Sequence, residues 1–343
     1  MEQKTTENIN VTLIEDTIKK NDIYRLFKDN TFFKGNNPPK LKHTKSKDSN
    51  SLSSLQFDTD CLKDVFGFNC NEFCRKYTEA ISGLEEDNIF TLHSSSLLAL
   101  LFFCKVSPKN PISIAGQKYY HVHFEHKNPI PFESTKNGKT RKYTTNSNID
   151  VVLSDKETLE DSEQILFLES KFTEYTHNAK QTGISKDAYS KIYNLLKRTL
   201  EDDMGLQFID GVLSPIDKAK GHYYCEGIKQ MICHFMGARK FAEDNPEKNI
   251  KLGSIIYNLS ILDGPDNDNG KYSTMFNSYS GQYHNLMQGI YLGSENQSAE
   301  LMLPPKLSLI TNILTYQDVF KNEKNKNYQI NEKVRQFYQL SKQ

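Results

Sequence analysis

The hydrophobic positions of this chain fall into blocks whose period indicates a mixture of helices and strands. An apolar run lies inside the segment 92–104, where three serines suit the start of a helix. Apolar and ionisable residues then alternate over 118–126, and the segments 148–153 and 165–172 are short runs rich in branched and aromatic side chains. We therefore predict one buried helix followed by three strands.

The connections between these segments are polar and determine the predicted pairing. A polar loop that contains Asn137-Gly138 and the basic segment 136–142 separates the first strand from the second. An acidic connection joins the second strand, 148–153, to the third, 165–172. We expect those two strands to pair as an antiparallel hairpin.

Further along the chain the apolar spacing returns to three and four residues. This spacing predicts helices over 189–200 and 224–235, and 252–262 follows as another strand closed by a turn-rich segment. The order helix, strands, helices, strand is typical of a layered α/β or α+β fold.

Residues 1–50 differ from the rest of the chain in composition. They begin with a predicted amphipathic helix and continue into a segment rich in Lys, Asn, Pro and Ser, which is typical of a linker. We expect 51–343 to form a single domain, with a core at about 90–262 and a C-terminal extension.

Composition and charge say more about the location and the partners of the protein than about its activity. The 343 residues carry 43 basic and 43 acidic side chains, so a nucleic acid would have to be bound by local basic patches such as Lys136, Lys139, Arg141 and Lys142. The longest apolar run is too short to span a membrane, and the N-terminus lacks the pattern of a signal peptide. We expect a cytoplasmic protein with no membrane partner. The six cysteines form no C-x-x-C pair and are expected to be free thiols.

The predicted strand 165–172 ends in charged residues, although most of it is apolar. Because side chains alternate along a strand, Glu169 and Lys171 project from the same face, and Asp150 on the predicted neighbouring strand can reach the same position. Two carboxylates and the backbone carbonyl of Ser170 are hard oxygen ligands suited to Mg²⁺, which could in turn bind a phosphate of the substrate. The alternative is an ion pair on an edge strand, with Asp150 capping a turn.

The pattern Asp150-x18-Glu169-Ser-Lys171 resembles the PD-(D/E)xK nuclease superfamily, the fold of many restriction endonucleases. The resemblance implies an α/β fold with a mixed central sheet of about four or five strands flanked by helices. It also implies a metal-dependent endonuclease that hydrolyses double-stranded DNA. Asp150, Glu169 and Ser170 would bind Mg²⁺, for which Mn²⁺ can substitute, and Lys171 would orient or deprotonate the attacking water. The chain departs from the pattern in having Ile149 before the aspartate instead of proline.

Two alternatives to a restriction-like enzyme remain open from the sequence. A repair or recombination nuclease would recognise a DNA structure instead of a DNA sequence. A DNA-binding protein with a vestigial site would bind without cutting. Because cutting both strands commonly requires two active sites, the sequence is also compatible with a homodimer.

Two further residues are candidates for additional roles at this site. Glu125 shares the ionisable face of its strand with His121 and His123, and an additional acid often comes from this part of the superfamily fold; a solvated strand face is the alternative. Gln230 resembles a glutamine that some members carry on a helix after the motif, although the tyrosine expected four residues later is replaced by His234. An ordinary polar helix face is the alternative for Gln230.

Overall fold

The protein is described by a computed structural model. It describes residues 3–28, 30–33, 39–43, 55–58, 65–66, 91–176, 192, 194–196, 199, 206–209, 212–215, 227–264, 267, 269–295 and 301–340. Most of the predicted helix 189–200 lies outside these residues, and so do four of the six cysteines. Cys104 and Cys233, which lie within them, are free thiols as predicted.

Helices and strands follow one another in blocks along the described chain. The helices are α1 (Gln3–Ile18), α2 (Arg25–Lys28), α3 (Ser95–Phe103), α4 (Gly227–Asp244), α5 (Lys271–Glu295), α6 (Tyr316–Lys321) and α7 (Glu332–Phe337). The strands are β1 (Leu41–His43), β2 (Leu55–Phe57), β3 (Ile112–Ile114), β4 (Gln117–Tyr119), β5 (His121–Lys136), β6 (Lys139–Ser154), β7 (Gln164–Lys171), β8 (Leu206–Ile209), β9 (Val212–Pro215), β10 (Asn249–Ile256), β11 (Leu307–Leu309) and β12 (Leu314–Thr315). Among the described helices, none combines the length and the apolar character needed to cross a membrane.

A mixed sheet forms the centre of the fold. Its strand order is β11-β10-β7-β6-β5, and β12 also pairs with β10, which makes six strands. The pairs β5–β6 and β6–β7 are antiparallel, whereas β10 is parallel to β7, β11 and β12. This arrangement confirms the predicted α/β fold and the predicted antiparallel hairpin. The sheet is larger than expected because β11 and β12, of three and two residues, are too short to show a period in the sequence.

The strand β7 is central, and helices cover both of its faces. Each residue from Ile165 to Lys171 is buried. Ser170 Oγ donates to the carbonyl of Ser95 in α3 at 3.2 Å, whereas Glu169 contacts His234 in α4. Because neighbouring residues of a strand face opposite ways, α3 and α4 lie on opposite sides of the sheet. A strand covered on both faces has a continuous apolar run instead of an alternating one, as β7 does.

The predicted polar loop between the first two strands is wrong. β5 and β6 are each 16 residues long, and they pair from His121↔Ser154 to Lys136↔Lys139 with one interruption, at Glu125 and Asp150. Asn137 and Gly138 form the turn with φ angles of 51° and 72°, the left-handed pair that a two-residue type I′ turn requires. The polar segment is therefore a two-stranded ribbon. Its period of two is hidden in the sequence because neither face of the ribbon is buried.

Two other predicted elements have well-defined ends. Ser94 caps α3 by accepting a hydrogen bond from the backbone N–H of Leu97 at 3.1 Å, as predicted for this serine-rich start. The predicted strand 252–262 ends at Ile256, and a 3-10 helix follows at Leu259–Asp263. Asn258 begins that helix because its side chain accepts a hydrogen bond from Ser260 N at 2.9 Å.

The N-terminal segment packs against the C-terminal part of the chain. Tyr24, Phe27 and Phe33 belong to the same buried cluster as Phe337, and the rings of Phe27 and Phe337 stack at 5.2 Å. The side-chain amide of Asn30 donates to the carbonyl of Phe337 at 2.7 Å. The described part of residues 1–50 is thus joined to the core through aromatic packing, although its composition differs from that of the core.

Candidate functional site

The charged end of β7 lies inside the protein. Glu169 is 1% exposed and Lys171 is 6% exposed, and their strand lies between β6 and β10. The alternative of an exposed ion pair on an edge strand is therefore wrong. Asp150 does not cap a turn either, because its Oδ2 accepts a hydrogen bond from Ser170 N at 2.7 Å, which links β6 to β7.

Both carboxylate oxygens of Glu169 are held by other side chains. Lys171 Nζ lies 2.5 Å from Oε1, and His234 Nε2 lies 2.6 Å from Oε2. Because an ionised carboxylate only accepts hydrogen bonds, Nε2 carries the hydrogen of this contact. His234 Nδ1 is in turn 2.7 Å from Ser147 Oγ. These contacts supply the partners that a buried charge requires.

The same contacts give the two acids different protonation behaviour. Burial by itself raises the pKa of Glu169, but Lys171 and His234 outweigh it and hold this pKa below its ordinary value. Burial by itself lowers the pKa of Lys171, but Glu169, and then Glu174 and Asp150, raise it well above its ordinary value. Burial, and then the charge of Glu169, raise the pKa of Asp150 well above its ordinary value. The site therefore favours an ionised Glu169 and a charged Lys171, and disfavours a second negative charge on Asp150.

Asp150 and Glu125 meet at an irregular step of the sheet. The β6–β7 ladder ends at Val151↔Leu168, so Asp150 is next in line, across from Glu169. The β5–β6 ladder skips Glu125 and Asp150, and Glu125 has a φ of 51°. A left-handed φ in a strand residue other than glycine stores local strain, and such strain is common at functional sites. Glu125 also contributes to the raised pKa of Asp150, which places its charge near the site.

The other residues singled out from the sequence have different positions. The Ser170 hydroxyl lies 2.7 Å from the hydroxyl of Tyr316, on the α3 side of the sheet, so only its backbone is available on the Glu169 side. Gln230 is exposed on α4, one turn before His234. The basic residues near the turn of the β5–β6 ribbon are all exposed: Lys136, Lys139, Arg141 and Lys142.

The oxygen atoms at this site fit a small divalent cation. Mg²⁺ binds one or two protein carboxylates and keeps several waters, and Asp150 and Glu169 with the carbonyl of Ser170 have this chemistry. Burial, and then the charge of Glu169, raise the pKa of Asp150, and a bound cation would lower it by stabilising the ionised form. In the part of the chain that the structure describes, no three His, Cys, Asp or Glu side chains form a metal-binding group, so a cation here would depend on two carboxylates, backbone and water. Each oxygen of Glu169 is already in contact with Lys171 or His234, so the cation would share a carboxylate oxygen with one of these side chains.

Comparison with known protein families assigns the chain to a family. The sequence model of the family described as Restriction Endonuclease associating with ARP matches residues 50–253, more than half of the 343 residues. The chain belongs to this family. The matched range contains Asp150, Glu169 and Lys171. The match confirms the likeness to the restriction-endonuclease superfamily and indicates a nuclease-like role. Neither a curated protein nor a solved structure matches the chain.

Two residues complete the contacts around Glu169, although the sequence pattern did not predict them: His234 contacts Glu169, and Ser147 contacts His234. His234 occupies the position at which the resemblance to the nuclease superfamily leads to the expectation of a tyrosine, and nothing in the polar segment around Ser147 distinguishes that serine. The contact depends on how α4 packs on the ribbon. A Cβ on Gly237 would lie 2.7 Å from Ser147 Cβ and 2.9 Å from Asn128 Cβ, so glycine permits the close approach. The only sequence signal for the contact between His234 and Ser147 is that His234 lies one turn from Gly237 in α4.

Proposed function

We propose that this member of the restriction endonuclease family is a metal-dependent DNA endonuclease that hydrolyses phosphodiester bonds. The observation that carries the proposal is the cluster of Asp150, Glu169 and Lys171, in which Glu169 and Lys171 are buried on β7 and Asp150 is half-buried on the neighbouring strand β6. Lys171 and His234 compensate the buried charge of Glu169, whereas the pKa of Asp150 stays raised, so a negative charge on Asp150 is not fully compensated within the protein. A divalent cation with a phosphate is the ligand that would engage all three groups.

Asp150 and Glu169, with the carbonyl of Ser170, are the proposed ligands of Mg²⁺, and Mn²⁺ can take the same place. When bound, the metal would polarise the phosphate and lower the pKa of a bound water. Ser170 N donates to Asp150 Oδ2, which fixes one oxygen of Asp150 and leaves the other for the ligand. Glu169 is the only one of the two acids whose pKa is lowered, so it supplies the permanent negative charge.

Lys171 acts in this proposal as a charged hydrogen-bond donor. The pKa of Lys171 is well above its ordinary value because Glu169, together with Glu174 and Asp150, outweighs the effect of burial, so the ammonium keeps its proton at neutral pH. Of the two roles left open by the sequence, orientation of the water therefore fits better than its deprotonation. A fixed ammonium also stabilises the negative charge that develops on the phosphate in the transition state.

His234 is a positioning residue for Glu169. Its Nε2 donates to Oε2, and Ser147 Oγ fixes the ring from the other side through Nδ1. This chain holds the plane of the carboxylate, so Oε1 points to Lys171. Second partners of this kind orient metal-binding carboxylates and histidines in many metal sites.

The test of this function is the cleavage of double-stranded DNA with Mg²⁺, Mn²⁺ or EDTA. We would compare the wild type with Lys171→Met and with Lys118→Met, a matched change at an exposed lysine on β4. We expect cutting with either metal, no cutting in EDTA, loss of cutting in Lys171→Met, and wild-type cutting in Lys118→Met. Cutting that persists in EDTA or in Lys171→Met would overturn the proposal. A wild type that binds DNA but never cuts it would favour the non-catalytic alternative.

A further inference from the structure

The β5–β6 ribbon extends beyond the central sheet. β6 pairs with β7 only between Val151 and Ser154, and from Ile149 to the turn no third strand of the described chain lies beside the ribbon. Asn128 lies beneath Gly237 of α4. At about 3.4 Å per residue, the ribbon reaches about 27 Å from Asn128 to Lys136 at the turn.

The outer ribbon is exposed on both faces and is held together by contacts between its own strands. Each residue from 131 to 146 is exposed or half-exposed. The rings of Phe132 and Tyr143 stack at 5.5 Å, and the hydroxyls of Thr135 and Thr140 are hydrogen-bonded at 2.9 Å. Cross-strand pairs of these kinds stabilise antiparallel strands, and the type I′ turn fixes their register. The segment is therefore an ordered arm instead of a loose loop.

The ribbon concentrates positive charge in a chain that is neutral overall. Between 127 and 148 there are five basic residues and one acidic residue, a net charge of +4, whereas the whole chain has a formal net charge of zero. Lys136, Lys139 and Arg141 belong to cross-strand pairs two residues apart and project from one face of the ribbon. Lys142 and Glu133 are paired on the opposite face. Such a surface is complementary to a polyanion.

We propose that the β5–β6 ribbon is a DNA-binding arm that lies in the major groove of a duplex, where Lys136, Lys139, Arg141 and Lys142 contact phosphates. The inference rests on the proposed nuclease function. The major groove of duplex DNA is about 12 Å wide and admits a two-stranded β-ribbon. Single-stranded DNA has no such groove, and neither does an acidic protein. Strand β6 carries both Arg141 and Asp150, and at about 3.4 Å per residue these lie about 30 Å apart. The arm would thus contact the duplex about one helical turn away from the phosphate that is cleaved.

The test measures binding without cutting. Fluorescence anisotropy in EDTA gives the affinity of the full chain for a duplex of about 30 base pairs, which is roughly three helical turns, and for a single strand of the same length. The arm variant combines Lys136→Gln, Lys139→Gln, Arg141→Gln and Lys142→Gln. The control variant removes the same amount of charge from exposed lysines elsewhere, by Lys109→Gln, Lys118→Gln, Lys324→Gln and Lys326→Gln. All eight side chains are exposed, so urea unfolding should match the wild type in both variants.

The expected result is a change in salt dependence and in preference for duplex. Each phosphate contact contributes about 0.9 to the slope of log affinity against log salt, so the arm variant should lose about 3.6 of this slope. Raising the salt from about 50 to about 200 mM should then weaken the wild type about 150-fold more than the arm variant. The control variant should keep the wild-type slope. Equal slopes in the two variants would overturn the proposal, and so would an equal loss of affinity for duplex and single strand.

The binding and cleavage assays separate failure of the arm from failure of the nuclease proposal. If the wild type binds duplex with the expected slope but does not cut with Mg²⁺, the nuclease proposal fails while the arm stands. If the wild type cuts with Mg²⁺ and the arm variant binds and cuts like the control, the arm fails while the nuclease proposal stands.

Discussion

Replacement of Asp150 by asparagine should stabilise the metal-free protein while it abolishes cleavage. Burial and the charge of Glu169 raise the folded-state pKa of Asp150 well above the ordinary value of 3.8, so its ionised form is unfavourable in the fold. Asparagine removes the charge, and its side-chain oxygen can still accept the hydrogen bond from Ser170 N. Asp150, a proposed metal ligand, is thus expected to lower the stability of the metal-free protein, as is common for functional residues.

The size of this effect follows from its dependence on pH. A carboxyl group whose pKa is raised by folding binds its proton more tightly in the folded state, so stability falls as pH rises from the unfolded pKa to the folded one. Starting from a pH near 3.8, the wild type loses about 1.4 kcal/mol for each pH unit in that window. Above the folded pKa the loss is constant. The advantage of Asp150→Asn should therefore be absent at the lowest pH, grow with that slope, and then level off.

Urea unfolding in EDTA across this pH range measures the effect directly. Glu157→Gln, an exposed carboxylate in the connection after β6, is the control and should change stability by less than about 0.5 kcal/mol. Mg²⁺ at about 100 times its dissociation constant should then add about 2.7 kcal/mol to the wild type and nothing to Asp150→Asn. A variant that is less stable than the wild type at pH 7 in EDTA would refute the electrostatic reasoning. Equal stabilisation of both proteins by Mg²⁺ would remove Asp150 from the proposed ligands.

Three further substitutions test the remainder of the cluster. Glu169→Gln leaves Lys171 buried without its nearest counter-charge, so urea unfolding should show a loss of about 3 to 5 kcal/mol; a loss below 1 kcal/mol would contradict the burial of this pair. His234→Ala should weaken Mn²⁺ binding, measured by electron paramagnetic resonance, by about 10- to 100-fold, and His234→Gln should restore part of it; unchanged affinity in the alanine variant would leave His234 with a packing role only. Gly237→Ala brings a Cβ to 2.7 Å from Ser147 Cβ and should cost about 1 to 3 kcal/mol in urea unfolding, and a neutral result would show that α4 can shift.

The parts of the fold that the sequence revealed are those in which burial is regular. The central strand β7 appears as an unbroken apolar run because helices cover both of its faces. Helix α3 is apolar almost throughout and begins at a capping serine, so its start and its burial were both predictable. The outer β5–β6 ribbon and the short strands β11 and β12 were missed because an exposed ribbon buries no face, and two or three residues cannot display a period.

The candidate site divides in the same way. Alternation along a strand and a two-strand hairpin are local rules, so they were sufficient to bring Asp150, Glu169 and Lys171 together from their sequence positions. The contact of His234 with Glu169 was not predictable, because 65 residues separate the two and the contact forms only when α4 packs on the sheet.

The layered α/β fold, the hairpin and the acid–acid–lysine motif were predictable from the sequence, because each depends on the spacing of residues within one or two neighbouring elements. Folding, by contrast, is what buries the Glu169–Lys171 pair, shifts the pKa values of Asp150 and Glu169 in opposite directions, and extends a basic ribbon beyond the sheet. Those properties depend on the charges and the packing that surround each group. Such surroundings are assembled from distant parts of the chain, so they exist only once the chain has folded.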